Sequence, residues 1–348
     1  MPKRVETRDD KRRLHVSLVA IPEVMASTLT GLYDVFNSLP LLASFAGAPP
    51  NAVDFKVEIV ALAKGVMNTA SGIRLNAHKS IEEVRTSDIA IIPSVLVERG
   101  EWRQGRYPKL VQWLLSLHEQ GAQLCSSCSG VLLLAETGLL NERDATIHWI
   151  YAQTFRRNFP RVRLRQEKAL VVSGESHGFV MSGASTSWHD LALYLIAQRI
   201  GPTAAQSVAK FFAIQGHPED LSPYMVFEPA TDHGDAAIQS AQEWLGQHFS
   251  VGNPIEQAVK RSGIPGRTFK RRFKIVTGLA PIDYVQRLRV EEAKRRLERT
   301  TAPVDEIGWK VGYEDSAFFR RLFKRTTGIT AGAYRRKFQV PGGIPAKK

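Results

Sequence analysis

The sequence predicts an α/β N-terminal half, a doubly wound parallel-sheet sandwich, joined to an all-α C-terminal domain with two helix-turn-helix units. Three observations predict it. Short apolar runs alternate with helix-like stretches through the first half, the pattern of a parallel sheet covered on both faces. One helical pattern occurs twice near the C-terminus, which marks a duplicated unit. Charge divides the chain as well: residues 251–348 hold 23 Lys and Arg against 9 Asp and Glu, residues 1–250 hold 24 against 25, so the net charge of +13 sits in the tail. Such asymmetry points to a nucleic-acid-binding domain on a neutral body. The alternative is a surface that is merely solubilising.

Several function classes are set aside by composition. A chain of 348 residues, 43% apolar and 23% charged, is globular and too long for one ordinary core. No apolar run reaches the roughly 18 to 20 residues of a membrane span. The stretch "MPKRVETRDDKRRLH" is basic and polar without an apolar signal core, so export is not expected. Two cysteines make no disulfide framework, and a reducing cytoplasm is the simplest compartment.

Taken in order, "LHVSLVAI" (Leu14–Ile21), "FKVEIVAL" (Phe55–Leu62), "SDIAIIPS" (Ser87–Ser94) and "AQLCS" (Ala122–Ser126) read as buried strands. Between and after them, Thr28–Leu39, Tyr107–Gln120 and Ser129–Glu136 read as helices. "ALVVSG" (Ala169–Gly174) and "GFVMSG" (Gly178–Gly183) flank a short Glu-Ser-His turn and read as a hairpin. A helix over Thr186–Ile200 ends at Gly201-Pro202. "GHPEDLSPYMVFEPATDHGD" is rich in Pro, Gly and acidic residues and lacks a period, so residues 201–235 read as a linker, with one short helix before that stretch. This places one domain at 12–200 and the other at 236–340.

In the basic half, Ile255–Val285 aligns with Val304–Tyr334. Each copy has an apolar-periodic helix ending at a glycine (Gly263, Gly312), a short turn, and a second helix with paired phenylalanines: Phe269 and Phe273, then Phe319 and Phe323. Each second helix ends in Thr-Gly, at Gly278 and Gly328. Helix, glycine turn, helix is the helix-turn-helix pattern, and the glycine supplies the left-handed backbone of the turn. Gly308 lies where a small residue lets two helices cross closely; Val259 holds that place in the first copy. Phenylalanines four apart share one inward face. The opposite faces carry Arg267, Lys270, Arg271 and Lys274, then Arg320, Arg321, Lys324 and Arg325. Arginine on a helix in the major groove can fork onto guanine, and the remaining cations neutralise phosphate. A long helix, Pro281–Thr300, joins the copies; its charges read as a mostly solvated face, while Tyr284, Val285, Leu288, Ala293 and Leu297 join the two small cores.

Residues 240–338 resemble the AraC/XylS family of transcription regulators, most closely in "APVDEIGWKVGY", "FFRRLFKRTTGIT" and "YRRKF". The resemblance implies two reading helices in successive major grooves of one DNA face. By position, the reading residues would be Arg267, Lys270 and Arg271, then Ser316, Arg320 and Arg321. Phe318 departs from the polar residue common at its place, and either meets a thymine methyl or packs locally.

"GAQLCSSCSGVLLLAETGLL" (Gly121–Leu140) holds both cysteines, Cys125 and Cys128, where a strand runs into a helix. A sharp turn there can present a nucleophile at a helix N-terminus. Residues 12–200 resemble the PfpI-type branch of the class I glutamine-amidotransferase-like superfamily, through "CSGVLLLAETGLL", "DATIHW" and "GFVMSGASTSWHDLAL". That implies a flavodoxin-like sheet. With the basic half it gives a GlxA-type regulator with a PfpI-like effector-sensing domain. In active relatives a His follows the nucleophilic Cys and an acidic residue from the first helix approaches it. Here Ser129 and, counted back from Asp34, Thr28 hold those places, so proton transfer lacks a partner. No catalytic residue is therefore expected.

Two other readings compete: a cysteine-dependent hydrolase or lyase of the PfpI type fused to a DNA-binding module, and a thiol redox sensor through Cys125 and Cys128. Cys125 reads as a small core residue at the end of a strand. Zinc would need further ligands, and no metal spacing links His148 or His189 to the cysteines, so neither metal nor cofactor is expected. The pocket of an inactive relative can still hold an effector. Its expected lining is Cys128, Ser129, His148 and Trp149, with Trp188 and His189. Relatives that sense arginine or quaternary amines, and an aromatic wall suited to a cation, point to that ligand class. The family also implies an operator in double-stranded DNA, RNA polymerase as a partner, and a homodimer, with no membrane.

Overall fold

A computed structural model describes residues 13–45, 55–229, 231 and 233–339. The basic stretch up to residue 12, and the expected domain ends at 12 and 340, lie outside the described residues. The chain divides into two compact units, with the boundary between Leu221 and Ser222 in the sequence.

The first unit opens with strand β1 (Leu14–Val19), helices α1 (Ala26–Asn37) and α2 (Leu39–Phe45), and strand β2 (Phe55–Ala61). A hairpin of β3 (Gly65–Asn68) and β4 (Arg74–Ala77), the short β5 (Lys79–Ser80), β6 (Ile89–Ile92), α3 (Pro108–Glu119) and β7 (Gln123–Ser127) follow. After α4 (Val131–Ala135) come β8 (Asp144–Ala145), α5 (Ala152–Asn158), β9 (Arg163–Leu164), β10 (Leu170–Ser173), β11 (Phe179–Ser182), α6 (Trp188–Arg199) and α7 (Pro202–Phe211). The main sheet has the order β10-β11-β7-β6-β1-β2-β5. All its pairs are parallel except β10 with β11.

Alternate strand residues feed opposite layers, as the pleat requires. Val19, Ala90, Ile92 and Leu124 pack with α3 and α4, whereas Val16, Leu18, Ile89, Ile91 and Cys125 pack with α1, α6 and α7. Both faces are covered, which is why these strands read as unbroken apolar runs. The chain steps from β1 to β2 in one direction and returns to place β6 on β1's other side. That reversal puts a crevice at the strands' carboxyl ends.

The linker expected at 201–235 is corrected. Gly201 (φ +127) ends α6, but Pro202 then starts α7, whose Ala205 and Val208 are buried in the first unit. Proline stops one helix and is also at home in the first turn of the next. The Pro/Gly/acidic stretch that follows is held by polar bonds. His217 pairs with Asp190 at 2.7 Å, Asp220 with Lys168 at 2.7 Å, and Leu221 is fully buried. Composition suggested a free tether because these partners lie far away in sequence.

The second unit contains α8 (Ala236–His248), α9 (Pro254–Ser262), α10 (Gly266–Thr277), α11 (Pro281–Arg299), α12 (Val304–Lys310), α13 (Ser316–Thr327) and α14 (Ala331–Phe338). It has two cores. Phe269 and Phe273 centre the first, Phe319 and Phe323 the second, all fully buried. Helix α11 gives Tyr284, Val285 and Leu288 to the first, and Val290, Ala293 and Leu297 to the second. The repeat extends to its stops: Gly263, Gly278, Gly312 and Gly328 all have positive φ. Thr277 donates to the Phe273 carbonyl as Thr327 does to that of Phe323. A Cβ on Gly308 would come 2.9 Å from the Phe319 ring, which is the close crossing its size permits. Among the described residues, no helix is long and apolar enough to cross a membrane.

Candidate functional site

At the carboxyl end of β7 the backbone turns sharply, and Cys128 sits there with φ +53. This is left-handed backbone on a residue with a side chain, a conformation kept at sites where geometry matters. Gly130 cannot be larger, because a Cβ would lie 2.4 Å from the carbonyl oxygens of Ile92 and Pro93. The elbow is pressed against the loop after β6. That loop bridges to the one after β1 through Val24 and Val95, and Met25 N–H donates to the Ser94 carbonyl at 2.8 Å.

Ser129 is the brace of this arrangement rather than a pocket wall. Its buried hydroxyl accepts from the Val95 N–H at 2.9 Å and donates to the Val95 carbonyl. Cys128 is 2% exposed, with Sγ 3.8 Å from the Ser185 hydroxyl. Burial pushes its thiol pKa up, opposed by the hydroxyls of Ser185, Ser129 and Ser94. Burial pushes Cys125, fully enclosed in β7, up as well. Both cysteines are free thiols. Thr28, at the place where active relatives carry an acid, is buried at 1% exposure.

The remaining predicted pocket residues form two ring pairs. His148 stacks on Trp149 at 3.9 Å between centroids, and Trp188 lies 3.8 Å from His189. Trp188 also packs on α1, since a Cβ at Gly31 would fall 2.5 Å from its ring. Burial lowers the pKa of both histidines. Tyr151, which the sequence reading missed, relates the first pair to the elbow: its ring is 6.1 Å from His148 and its hydroxyl is within electrostatic reach of Cys128. Ser185 was missed too, because only the folded sheet brings β11 beside β7. The buried hydroxyls of Ser127, Ser182 and Ser187, on these strand ends and at the start of α6, have no hydrogen-bond partner among the described residues. No group of three or more His, Cys, Asp or Glu among the described residues could hold a metal ion.

On the second unit, Arg267, Lys270, Arg271 and Lys274 are exposed along α10, and Arg320, Arg321 and Lys324 along α13, with Ser316 half-buried at its start. Asp315 caps α13 by accepting from the N–H groups of Ala317 and Phe318 at 2.8 and 3.0 Å. The Phe318 bond chiefly holds its carboxyl below the usual pKa, and the Arg321 charge adds to this. Arg320 forks onto Asp305 of α12 at 3.0 and 2.8 Å. Phe318 leans on Tyr313 at 5.6 Å between centroids yet stays 37% exposed. The solvated face expected on α11 is corrected for two residues. Lys294 is 5% exposed, donating to the Met225 carbonyl at 2.6 Å and to Glu291 at 2.8 Å, and Arg289 is half-buried among backbone carbonyls. A periodic pattern registers charge but not the loops that fold over it.

Residues 16–196 match the family model described as the DJ-1/PfpI family, and residues 258–337 match a helix-turn-helix domain. The HTH-type transcriptional regulator CdhR of Pseudomonas aeruginosa is 26% identical over 263 residues, 75% of each chain. The HTH-type transcriptional regulator GlxA of Rhizobium meliloti is 26% identical over 234 residues, 64% of this chain and 68% of that one. A crystal structure of an AraC family transcriptional regulator from Pseudomonas putida aligns with TM-score 0.48 and 17% identity, over 57% of this chain and 99% of that one.

Proposed function

We propose that this chain, which belongs to the DJ-1/PfpI family and carries an AraC-type helix-turn-helix domain behind it, senses a small metabolite at the Cys128 elbow and does no chemistry on it. It is a DNA-binding transcription regulator by that combination of domains. The observation that carries the sensing reading is the company Cys128 keeps. A nucleophilic thiol reacts as its thiolate and needs a base or an electropositive setting. Here the thiol is buried among serine hydroxyls, its pKa raised, with Thr28 in place of an acid. The strained turn survives without the groups that would use it.

A cationic amine, arginine-like or quaternary, fits the surroundings best. The pairs His148–Trp149 and Trp188–His189 offer ring faces, and burial holds both histidines toward the neutral form, which does not repel a cation. The unpartnered hydroxyls of Ser127, Ser182 and Ser187 supply hydrogen-bonding capacity at the adjoining strand ends. Cys128→Ser should leave ligand-dependent transcription largely intact, because it removes little volume and no working base. Cys128→Trp should fill the elbow and abolish the response while DNA binding persists. The check is reporter induction beside a purified assay for glyoxalase, amidase and hydratase turnover. Turnover by the wild type that vanishes in Cys128→Ser, together with induction, would make the site an enzyme.

For DNA, the proposed reading residues are Arg267, Lys270 and Arg271 on α10, and Ser316, Arg320 and Arg321 on α13, with Lys324 on phosphate. Arg321→Ala should cost about 1 to 3 kcal/mol on the preferred site if it removes a forked guanine contact. Arg320 must first leave Asp305, so Arg320→Ala should cost less than Arg321→Ala. Lys324→Ala should weaken all sequences alike. Parallel titrations of selected and random duplex decide this: equal losses on both for Arg321→Ala would make it a phosphate contact.

A further inference from the structure

A protein that reads two successive major grooves must hold its reading helices at a set separation and rotation, because DNA fixes both. Helices α10 and α13 belong to different cores, joined by α11. A single helix running between two small cores leaves freedom to rock unless something else ties them.

Arg289, near the middle of α11, provides a tie. Its Nε donates to the Phe249 carbonyl at 2.7 Å and its Nη2 to the Val251 carbonyl at 3.3 Å, both in the turn that leads into α9. Its Nη1 donates to the Gly312 carbonyl at 2.9 Å, in the turn between α12 and α13. The guanidinium also lies 4.8 Å from the centroid of the Tyr313 ring. One planar cation thus bonds the backbone turn that enters the first helix-turn-helix and the backbone turn inside the second. The two turns touch here as well: a Cβ on Gly312, whose φ is +95, would fall 2.6 Å from the Ser250 carbonyl oxygen and 2.9 Å from Arg289 Nη2. Arg289 and Gly312 also line a groove of about 1190 Å³, together with Lys270, Arg271 and Lys274 of α10 and Trp309 and Phe318 of the other half.

We propose that Arg289 is a positioning residue that sets the spacing between the two reading helices, and hence the separation of half-sites the protein accepts on DNA. It makes no base contact in this role. The proposal rests on α10 and α13 both reading DNA. Arginine suits the position because its planar fork reaches several carbonyls at once and stacks on a ring, which an ammonium cannot do.

The test uses the full chain and a duplex selected by it from a random library, with one or two base pairs then inserted between the half-sites. One inserted pair rotates one half-site by about a tenth of a turn. Wild type should lose about 10- to 100-fold in affinity, the worth of a forked base contact. Arg289→Ala should bind the parent duplex less tightly and show a much smaller insertion penalty. Arg289→Lys should fall between. Gly312→Ala, which wedges the turns apart without removing charge, should also flatten the penalty. Random-duplex affinity should hold in all three. An unchanged insertion penalty in Arg289→Ala and Gly312→Ala overturns the proposal. So does an equal loss on selected and random duplex, which would make Arg289 a phosphate contact. Should Arg289→Ala lose its helical circular dichroism, Arg289→Lys decides, and a wild-type penalty there overturns the idea. A wild type indifferent to insertion would instead refute two-helix reading itself.

Discussion

Residues 222–348 expressed alone should bind operator duplex, with affinity falling by about 10³ to 10⁵ between roughly 50 and 200 mM salt, as expected for six to ten phosphate contacts. The cationic excess lies in this unit, and among the described residues its two cores are built from this unit alone. The structure also fixes where to cut. A fragment starting at 236 would drop the Met225 carbonyl that accepts from Lys294, and Phe227, whose ring is 5.4 Å from that of Tyr284. The longer fragment should therefore bind and melt cooperatively, and the shorter one should be less stable. Fluorescence anisotropy at several salt concentrations checks the first statement and thermal melts the second. A salt-independent isotherm, or no binding by the longer fragment, would refute autonomous DNA recognition.

Phe323→Ala should destabilise the second helix-turn-helix by about 3 to 5 kcal/mol, the usual cost of truncating a fully enclosed phenylalanine. Phe323 is 0% exposed and its ring lies 6.0 Å from that of Phe319 and 5.5 Å from that of Tyr334. A loss of that size approaches the whole stability of a small domain. Because the two cores are distinct, Phe273→Ala should instead injure the first copy. Each substitution should abolish specific binding to the two-part operator while leaving the first unit's own unfolding transition in place. Calorimetry of the full chain would resolve the transitions, and loss of both together in either variant would show that the units unfold as one.

Much of this was legible in the sequence, for a shared reason. The repeat in residues 255–334, its glycine stops and its paired phenylalanines are local periodicities, so they can be read without knowing what packs against them. The parallel sheet was legible because strands covered on both faces must be apolar at every position. The elbow's place was legible through the strand, cysteine and glycine in "CSSCSG".

Distant contacts were not legible. Ser129 faces Val95 rather than a pocket, Ser185 reaches Cys128 from beyond β11, and Arg320 finds Asp305. The apparent tether before residue 222 proved anchored by His217 on Asp190 and Asp220 on Lys168. Arg289 carries the same charge as its solvated neighbours on α11, and only the two turns that fold onto it set it apart. The sequence by itself determined the two-unit plan and the duplicated helix-turn-helix motif, because each is written in neighbouring residues. Tertiary structure alone decided which polar groups are spent on holding backbone and which remain for a ligand or for DNA. A hydrogen bond between residues far apart in the chain leaves no periodic trace; it exists only once the elements that carry its two ends have packed.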